Sequence, residues 1–457
     1  MIYSSLLFIY GFFPAALLLY SVTPRLHREK TMLVLSIIFC CSFGLFTAGI
    51  LTLSILLNYV AGRITERFSS GAAGKAVLCL IILADIAVMF LFRADDLPGK
   101  TGELFLSIAY PLGISFFTLS AVGYQLDVFR GRCSAEHDII RFSLYLIMFP
   151  KLIMGPLVSY GNYLRISGRR NFSIGSIGGG LAVFVRGLVK KLIGADLLYM
   201  LYSAVRSTDT GELSALSAWL GAAAYLLCVY FELSGFSDMG TGLGRCFGYS
   251  FPAAFRHPVL SSRITKFLSR WHMQVLHWFR RYILEEIFPY TPHRWLKALV
   301  TAAVCGMAGF LYTFTPNGMV CGLIIGAAAA AEQLPAVRRL PRASGAAYTF
   351  IIILFSGVIL SGDTITGSLS YMLAMLGSNH SLADSLSLYL LGSYVLILII
   401  GFFVSSELMR RSLQRVRRSR LYYIALAAEP VITLAFLALC TAMMSYSGSS
   451  AMLMFKL

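Results

Sequence analysis

The sequence predicts an all-α polytopic membrane protein with about 10–12 membrane segments, some of them short or re-entrant. Of its 457 residues, 58% are hydrophobic and only 13% are charged, and the mean hydropathy is +0.75. Long apolar runs recur along the chain, and each predicts a helix that crosses the bilayer. Because a span needs about 20 residues, several of these helices must extend into their flanks. The clearest runs cover residues 2–20, 76–92, 216–231, 348–360, 388–404 and 421–443.

The first apolar run and the absence of repeats predict how the chain is organised. Residues 1–20 lack a basic segment and a small-residue cleavage site, so they predict a retained first helix rather than a removed signal. We find no internal repeat and no low-complexity linker. The sequence therefore predicts a single multi-pass membrane domain over residues 1–457.

Residues 142–160 carry helix-disrupting residues inside an apolar run, namely Pro150, Gly155 and Pro156. Proline removes a backbone donor and kinks a helix. Basic residues flank the run on both sides, which favours a re-entrant segment that returns to the cytoplasmic side. A kinked helix that spans the bilayer is the alternative.

The net charge of +17 has two interpretations. A basic protein could bind nucleic acid, but no module of interleaved aromatic and basic residues supports this, and we expect no nucleic-acid partner. Basic loops facing anionic membrane lipid explain the charge more simply. The densest basic run, residues 410–420 with six arginines, predicts a solvated juxtamembrane loop that touches lipid headgroups. An acidic partner protein is the alternative there.

The nine cysteines are scattered, and none has the spacing of a metal site or a Cys-x-x-Cys motif. We expect them to be small apolar packing residues rather than disulfides or metal ligands. The sequence thus predicts neither a metal nor a bound cofactor.

Polar groups concentrate in two stretches of this apolar chain. Residues 234–245 read Ser-Gly-Phe-Ser-Asp-Met-Gly-Thr-Gly-Leu-Gly-Arg, and residues 270–273 read Arg-Trp-His-Met. Burying such groups near a bilayer is costly, so their clustering indicates a function. Asp238 follows a predicted glycine-containing turn, and it and Arg245 are spaced to share a helical face, as an ion pair or as substrate contacts. The glycines between them permit close packing of helices or close approach of a ligand to the backbone.

Residues 261–288 predict one amphipathic helix lying along the cytoplasmic face. At about 100° per residue, His272 lies about 200° from Arg270 and so points to the apolar side of this helix. A lone buried histidine is more often structural than catalytic. However, a neutral imidazole accepts a proton from a hydroxyl, which suits transfer of an acyl group to an alcohol. The opposite side carries a basic stripe of Arg263, Lys266, Arg270, His277 and Arg281.

Four segments within residues 111–281 form a set of motifs in a fixed order. They are Pro111-Leu-Gly-Ile-Ser-Phe-Phe-Thr118 with Asp127-Val-Phe-Arg-Gly131; Phe149-Pro-Lys-Leu-Ile-Met-Gly-Pro156; Tyr230-Phe-Glu-Leu-Ser-Gly-Phe-Ser-Asp238; and Ile264-Thr-Lys-Phe-Leu-Ser-Arg-Trp-His-Met273 with Trp278-Phe-Arg280. Together they resemble the bacterial branch of the membrane-bound O-acyltransferase (MBOAT) family, whose members acylate alginate, cellulose or teichoic acids. Residues 111–281 form the best-matching core.

The resemblance implies a helix bundle around a central tunnel in the cytoplasmic (inner) membrane. An acyl donor such as acetyl-CoA or an acyl-carrier thioester would enter from the cytoplasm. The acyl group would reach a hydroxyl of a polysaccharide or other cell-envelope polymer outside, and a secreted or periplasmic-type esterase-like partner would complete the transfer. His272 matches the first of the family's two signature histidines. The expected substrate-binding residues are Ser237, Asp238, Arg245, Trp271 and Arg280.

The second signature histidine is absent from this sequence. Tyr312 stands where the resemblance places the catalytic histidine, Leu311 where it places a tryptophan, and Ile325 where it places a later histidine. Tyrosine has a reference pKa near 10 and does not replace imidazole as a base near neutral pH without a large shift. It can donate a hydrogen bond to an oxyanion, which is a smaller catalytic role.

Three functions are compatible with these residues. The first is an active O-acyltransferase in which His272, with Tyr312 or Asp238, moves the proton. The second is a catalytically impaired homologue that acts as an acyl conduit, a scaffold or a regulator of an envelope-modification complex. The third is a transporter or lipid flippase of another fold, which the absence of repeated halves disfavours.

Overall fold

Helices account for most of the chain that the structure describes. The computed structural model describes residues 2–68, 71–92, 113–291, 293–379 and 381–447. Within these ranges the only strand-like pairing is an isolated bridge between Val259 and Ser406. The start of the first predicted motif, residues 111–112, lies outside the described residues.

Seven helices in the described ranges are long and apolar enough to cross a membrane. This confirms the predicted all-α polytopic protein. Four shorter apolar helices accompany them: Leu7–Val22, Ile114–Phe129, Pro316–Ala331 and Ile365–Met375. The seven longer ones are Leu45–Arg67, Ala72–Phe92, Ala215–Cys246, Arg294–Thr313, Arg342–Ser361, Ser385–Ser405 and Tyr422–Tyr446.

The chain divides into two compact units by its internal contacts, each assembled from separate stretches of sequence. The first unit comprises residues 1–186, 236–253 and 444–449, and the second comprises residues 187–235, 254–443 and 450–457. Three helices, α9, α11 and α22 in the numbering below, therefore run from one unit into the other. The organisation of residues 1–457 as a single domain stays a prediction.

The helices of the first unit follow a π-helical turn at Leu7–Phe12. They are α1 (Phe13–Val22), α2 (Arg28–Cys41), α3 (Leu45–Arg67), α4 (Ala72–Phe92), α5 (Ile114–Phe129), α6 (Ile139–Ile147), α7 (Phe149–Leu152), α8 (Tyr160–Gly168) and most of α9 (Ile174–Val189).

The second unit continues with a π-helical turn at Lys190–Ala195 and contains the remaining helices. They are α10 (Asp196–Arg206), the first part of α11 (Ala215–Cys246), α12 (Ile264–Leu268), α13 (Met273–Phe279), α14 (Glu285–Ile287), α15 (Arg294–Thr313), α16 (Pro316–Ala331), α17 (Pro335–Arg338), α18 (Arg342–Ser361), α19 (Ile365–Met375), α20 (Ser385–Ser405), α21 (Glu407–Arg417) and most of α22 (Leu421–Ser447).

A buried polar network joins three helices of the first unit. The Asp85 carboxylate of α4 accepts hydrogen bonds from Asn58 Nδ2 at 2.8 Å and from Ser54 Oγ at 3.1 Å, both on α3. Gln125 of α5 donates to Asn58 Oδ1 at 2.9 Å. Polar side chains within apolar helices are stable only when they satisfy one another, so this network fixes how α3, α4 and α5 pack.

The apolar run at residues 142–160 is broken as predicted. Helix α6 ends at Ile147, α7 spans only four residues, and residues 153–159 are not helical. The carbonyl of Tyr145 accepts a hydrogen bond from the buried Lys151 ammonium. This contact satisfies a carbonyl oxygen and a cation inside the unit. Whether the segment re-enters the bilayer stays a prediction.

The glycine-rich stretch before Arg245 belongs to a continuous helix. The predicted turn before Asp238 is therefore wrong, since α11 runs unbroken to Cys246. Within the first unit, a Cβ on Gly242 would lie 2.5 Å from the Phe184 nitrogen, and a Cβ on Gly240 would lie 2.7 Å from the Pro150 oxygen. These glycines accordingly serve close packing of backbones, one of the two predicted alternatives.

Glycines also bring α15 and α16 of the second unit together. A Cβ on Gly309 would lie 2.2 Å from the Gly318 carbonyl oxygen, and a Cβ on Gly322 would lie 2.1 Å from the Cys305 carbonyl oxygen. The two helices form an antiparallel hairpin whose backbones touch. Small residues permit such an approach in membrane helices, where packing and not the hydrophobic effect drives association.

We predict that Gly309→Ala destabilises the protein by about 1–3 kcal/mol, because the added methyl group forces the hairpin apart. Thermal unfolding of the purified protein in detergent, followed by intrinsic fluorescence, measures the loss. Gly392→Ala in α20 is the control, since a Cβ there meets nothing within 4 Å. An unchanged midpoint for Gly309→Ala would show that the hairpin is not tightly packed.

Candidate active site

The second unit contains a cavity of about 160 Å³. Its walls come from α11, from the segment that contains α12 and α13, and from α15, α16 and α18. Most lining side chains are apolar, and the polar exceptions include His272, Tyr312 and Ser356. A concave, mainly apolar space with a few polar groups is typical of a small-molecule or acyl-chain site.

The cavity brings together three of the predicted site residues, His272, Tyr312 and Trp271. Ile325 lines it as well. The resemblance expects a further histidine at positions 312 and 325. Both positions line the same cavity as His272, although one carries a phenol and the other an aliphatic side chain. Leu311, at the expected tryptophan position, is not among the lining residues.

The chain breaks its helix at His272, which corrects the predicted single helix over residues 261–288. Helix α12 ends at Leu268, and α13 begins only at Met273. His272 has φ +40° and ψ +51°, the left-handed conformation that is rare for a residue other than glycine. The side chain is 3% exposed, so the predicted burial is correct, but a backbone reversal and not a helical rotation produces it.

Neighbouring backbone holds the strained conformation of His272 in place. The Arg270 carbonyl oxygen accepts a hydrogen bond from Arg256 N at 3.0 Å, and Met273 N donates to the Ala254 oxygen at 2.8 Å. Phe255, between these two pairs, contacts the imidazole with ring centroids 5.1 Å apart. A rare backbone conformation persists only where the surroundings over-determine it, and here they do so on both sides of the histidine.

Two glutamates that are distant in sequence bind the segment that leads to His272. Glu332, just after α16, accepts hydrogen bonds from the backbone of Ile264 and from Thr265 N at 3.2 Å and Thr265 Oγ1 at 2.6 Å. It thereby caps the start of α12. Glu407 at the start of α21 binds Lys266 Nζ at 2.6 Å and also the Arg270 guanidinium. Two residues of the predicted basic stripe, Lys266 and Arg270, thus form ion pairs within the protein.

The charges around this segment differ sharply from those in the cavity. Hydrogen bonds from Lys266 and the charge of Arg270 lower the pKa of Glu407 to about 2, so its carboxylate is ionised at neutral pH. His272 lies outside the apolar spans, and burial lowers its pKa to about 4. The imidazole is therefore neutral at neutral pH and able to accept a proton.

Tyr312 approaches the cavity from the last turn of α15. The helix ends at Thr313, and the next residue, Phe314, reverses the chain with a φ of +57°. Thr315 Oγ1 then caps α16 by accepting a hydrogen bond from Gly318 N at 3.2 Å. The Tyr312 hydroxyl oxygen is closed off from solvent. The Tyr312 side chain, which carries a phenol hydroxyl, thus lines the same cavity as the neutral imidazole of His272.

A buried ion triad, which sequence reasoning missed, lies in the same unit. Lys191 binds Glu232 at 2.8 Å and Asp196 at 2.7 Å, and the side chains of Lys191 and Glu232 are 0% and 1% exposed. Glu232 lies within electrostatic range of Tyr312. The available signal was a glutamate placed directly after an apolar run, since such a charge requires a partner.

The remaining predicted binding residues lie elsewhere. Ser237 and Asp238 are on the part of α11 in the first unit, and Arg245 at its end packs over Gly179 of α9. Arg280, in the second unit, is exposed and binds Glu285 at 3.2 Å rather than lining the cavity. The substrate-binding roles of these four residues stay predictions.

Comparison with known proteins identifies the family of this chain. The profile of the membrane-bound O-acyltransferase family (MBOAT) matches residues 78–362, a range that includes the predicted core at 111–281. The cavity and the residues that shape it, apart from those of α21, fall inside that range.

Similar curated proteins modify polymers of the cell envelope. The chain is 32% identical over 302 residues to the probable alginate O-acetylase of Pseudomonas aeruginosa, covering 62% of this chain and 56% of that protein. It is 26% identical over 327 residues to the peptidoglycan O-acetyltransferase of Helicobacter pylori, covering 62% and 61%. It is 22% identical over 344 residues to the teichoic acid D-alanyltransferase of Bacillus subtilis, covering 70% and 85%. The chain thus spans little more than half of the alginate relatives' length.

We predict that Lys191→Met destabilises the protein by about 3–5 kcal/mol, because it leaves the buried Glu232 carboxylate without its cation. Lys75→Met, which removes an exposed lysine, is the control and should unfold like the parent protein. Thermal unfolding in detergent measures both. Equal midpoints for the two variants would show that the triad does not stabilise the fold.

Proposed function

The chain belongs to the membrane-bound O-acyltransferase family. We propose that it moves an acyl group, acetyl in its simplest form, towards a hydroxyl of an extracytoplasmic polysaccharide or cell-envelope polymer. The observation that carries the proposal is the cavity shared by His272 and Tyr312. The acceptors named for the relatives are alginate, peptidoglycan and teichoic acid, and they support an envelope polymer as the acceptor class.

Proton transfer at His272 is the central step of the proposed reaction. The neutral imidazole takes the proton of an acceptor hydroxyl while that oxygen forms a bond to the carbonyl carbon of the acyl donor. A tetrahedral oxyanion results, to which the Tyr312 hydroxyl donates a hydrogen bond. The carbon–sulfur bond of a thioester donor then breaks, and the leaving thiolate takes the proton from the imidazolium.

A thioester such as acetyl-CoA or an acyl-carrier thioester is the proposed donor. A thiolate leaves more readily than an alkoxide, so His272 needs to act only as a base of moderate strength. The low pKa of this histidine keeps it neutral, at the cost of basicity. The mainly apolar walls disfavour bound water, which would protect the acyl group from hydrolysis.

The proposed setting is the cytoplasmic (inner) membrane, where the seven apolar helices would lie. The donor would reach the protein from the cytoplasm, and the acceptor would lie on the other side. A secreted or periplasmic-type esterase-like acyltransferase is the proposed partner for the final transfer to the polymer. This chain would then perform the first transfer, at His272, and the partner the second.

A second candidate function follows from Tyr312. A phenol at the position expected for a second histidine favours a catalytically impaired homologue, which holds or conducts an acyl group for another enzyme. The two functions differ in whether the cavity itself supports transfer, and the substitutions below separate them.

We predict that His272→Ala lowers acyl transfer by roughly 10²–10⁴-fold through loss of the general base. His277→Ala is the matched control, because that histidine lies five residues further on and is exposed. Radiolabelled acetyl-CoA and an oligosaccharide acceptor, with the full chain in vesicles, provide the measurement. Transfer that is equally fast in parent and His272→Ala protein would contradict the catalytic role and favour the conduit.

We predict that Tyr312→Phe lowers the same rate by roughly 10²-fold, as expected when one oxyanion donor is removed. Tyr225→Phe is the control, since it also deletes a phenol hydroxyl from the wall of the cavity. The ring is retained in both variants, so the shape of the cavity hardly changes. A rate for Tyr312→Phe equal to that of Tyr225→Phe would remove Tyr312 from the mechanism.

A further inference from the structure

The densest basic run of the chain forms a helix rather than the predicted loop. Helix α21 spans Glu407–Arg417 and connects α20 to α22, both of which contain a candidate span. A single residue, Ser406, separates it from α20, and three residues separate it from α22. A segment tied so closely to two spans has to lie at the surface of the bilayer.

The helix is amphipathic, with arginines on one face and apolar residues on the other. At about 100° per residue, Arg410, Arg411, Arg415 and Arg417 share an arc with Glu407. The opposite arc carries Leu408, Met409, Leu413 and Val416. Leu408 and Leu413 are 51% and 44% exposed.

Exposed leucines beside exposed arginines are costly in water and favourable at a bilayer surface. The leucines reach the acyl region while the guanidinium groups stay at the level of the headgroups. Arg418 and Arg420, which follow the helix, are also exposed. No acidic residue lies between Glu407 and Arg420, so nothing within the run neutralises this charge.

We propose that α21 is a binding site for anionic phospholipid headgroups, with Arg410, Arg411 and Arg415 as its phosphate contacts. Guanidinium groups bind phosphate oxygens through paired hydrogen bonds, and an anionic leaflet attracts such a cluster. The apolar arc fixes the helix in the plane of the membrane. An acidic protein explains the arginines but leaves the exposed leucines without a partner.

The lipid site is joined to the cavity through Glu407. Its carboxylate binds Lys266 at 2.6 Å and Arg270, and also Arg411 at 3.3 Å. Arg270 is two residues from His272. A second contact joins the junction of α20 and α21 to the chain that precedes α12. There, Val259 N donates a hydrogen bond to the Ser405 oxygen at 3.1 Å.

Arg411 is therefore shared between Glu407 and the headgroup. When a phosphate binds Arg411, the Glu407 carboxylate is left with Lys266 and Arg270 as its partners. Its ion pairs with the segment before His272 then become stronger. Anionic lipid thus orders the approach to the cavity. The effect on turnover rests on the proposed acyl transfer, whereas the binding of lipid does not.

Native mass spectrometry of the full chain in detergent tests the lipid site. Phosphatidylglycerol and phosphatidylcholine are titrated against the parent protein, against Arg410/Arg411/Arg415→Gln, and against Arg338/Arg339/Arg342→Gln. The control removes the same charge from three other exposed arginines. We expect apparent phosphatidylglycerol affinity to fall at least about tenfold in the first variant only. Equal losses in both variants, or no loss in either, would overturn the proposal.

Hydrogen–deuterium exchange in nanodiscs tests the same proposal without a variant. Exchange at residues 407–417 and 264–273 of the parent protein should be slower in discs that contain phosphatidylglycerol than in pure phosphatidylcholine. Glu407→Gln should keep the protection of 407–417 and lose that of 264–273. Identical exchange in the two lipids would overturn the lipid site and leave an acidic protein as the partner of this face.

Acyl transfer in the same discs separates this inference from the proposed function. Protection without any transfer would refute the proposed activity and keep the lipid site. Transfer that is unaffected by phosphatidylglycerol, with protection at 264–273, would refute the regulatory effect alone.

Discussion

The left-handed backbone of His272 is the constraint on which the geometry of the second unit depends. A residue with a side chain pays about 1–3 kcal/mol for a sparsely populated backbone conformation, so the surroundings must supply that free energy. The loop at residues 254–256 clamps the histidine on both sides, while Glu332 and Glu407 fix the segment that leads to it. If an ordinary helix continued through residue 272, the direction of the imidazole would follow the helical period. The chain would not reverse at this residue, and the imidazole would not be turned into the cavity.

The opposite side of the cavity is positioned by different means. Backbone contact between α15 and α16 sets where Tyr312 stands, and the Lys191–Glu232–Asp196 triad ties α11 to the turn before α10. Neither device contributes much apolar burial. Both are specific, because a glycine contact permits one distance and a buried carboxylate requires its cation. The second unit thus adds steric and ionic constraints to the packing of its buried apolar side chains.

The sequence predicts the all-α membrane class of this fold, but it does not predict the chain reversal at His272. Apolar runs identify most membrane helices because the bilayer dictates their length and composition. The pairing of His272 with Tyr312 in one cavity agrees with the motif resemblance. The break at residues 269–272 is invisible to periodicity, since its residues carry no glycine or proline. The contacts of Glu332 and Glu407 with residues 264–270 span long stretches of sequence, so no local pattern encodes them.

Gly309, Gly318 and Gly322 line the cavity as well as the contact between α15 and α16. The part of the cavity wall that these glycines form is consequently main chain, with no side chain to exchange and no space in which to add one. The opposing walls carry replaceable side chains, among them Leu226, Val229 and Ile353. Selectivity for the length of an acyl chain would then diverge between related proteins at these side chains, with the three glycines serving as a fixed surface against which that length is measured.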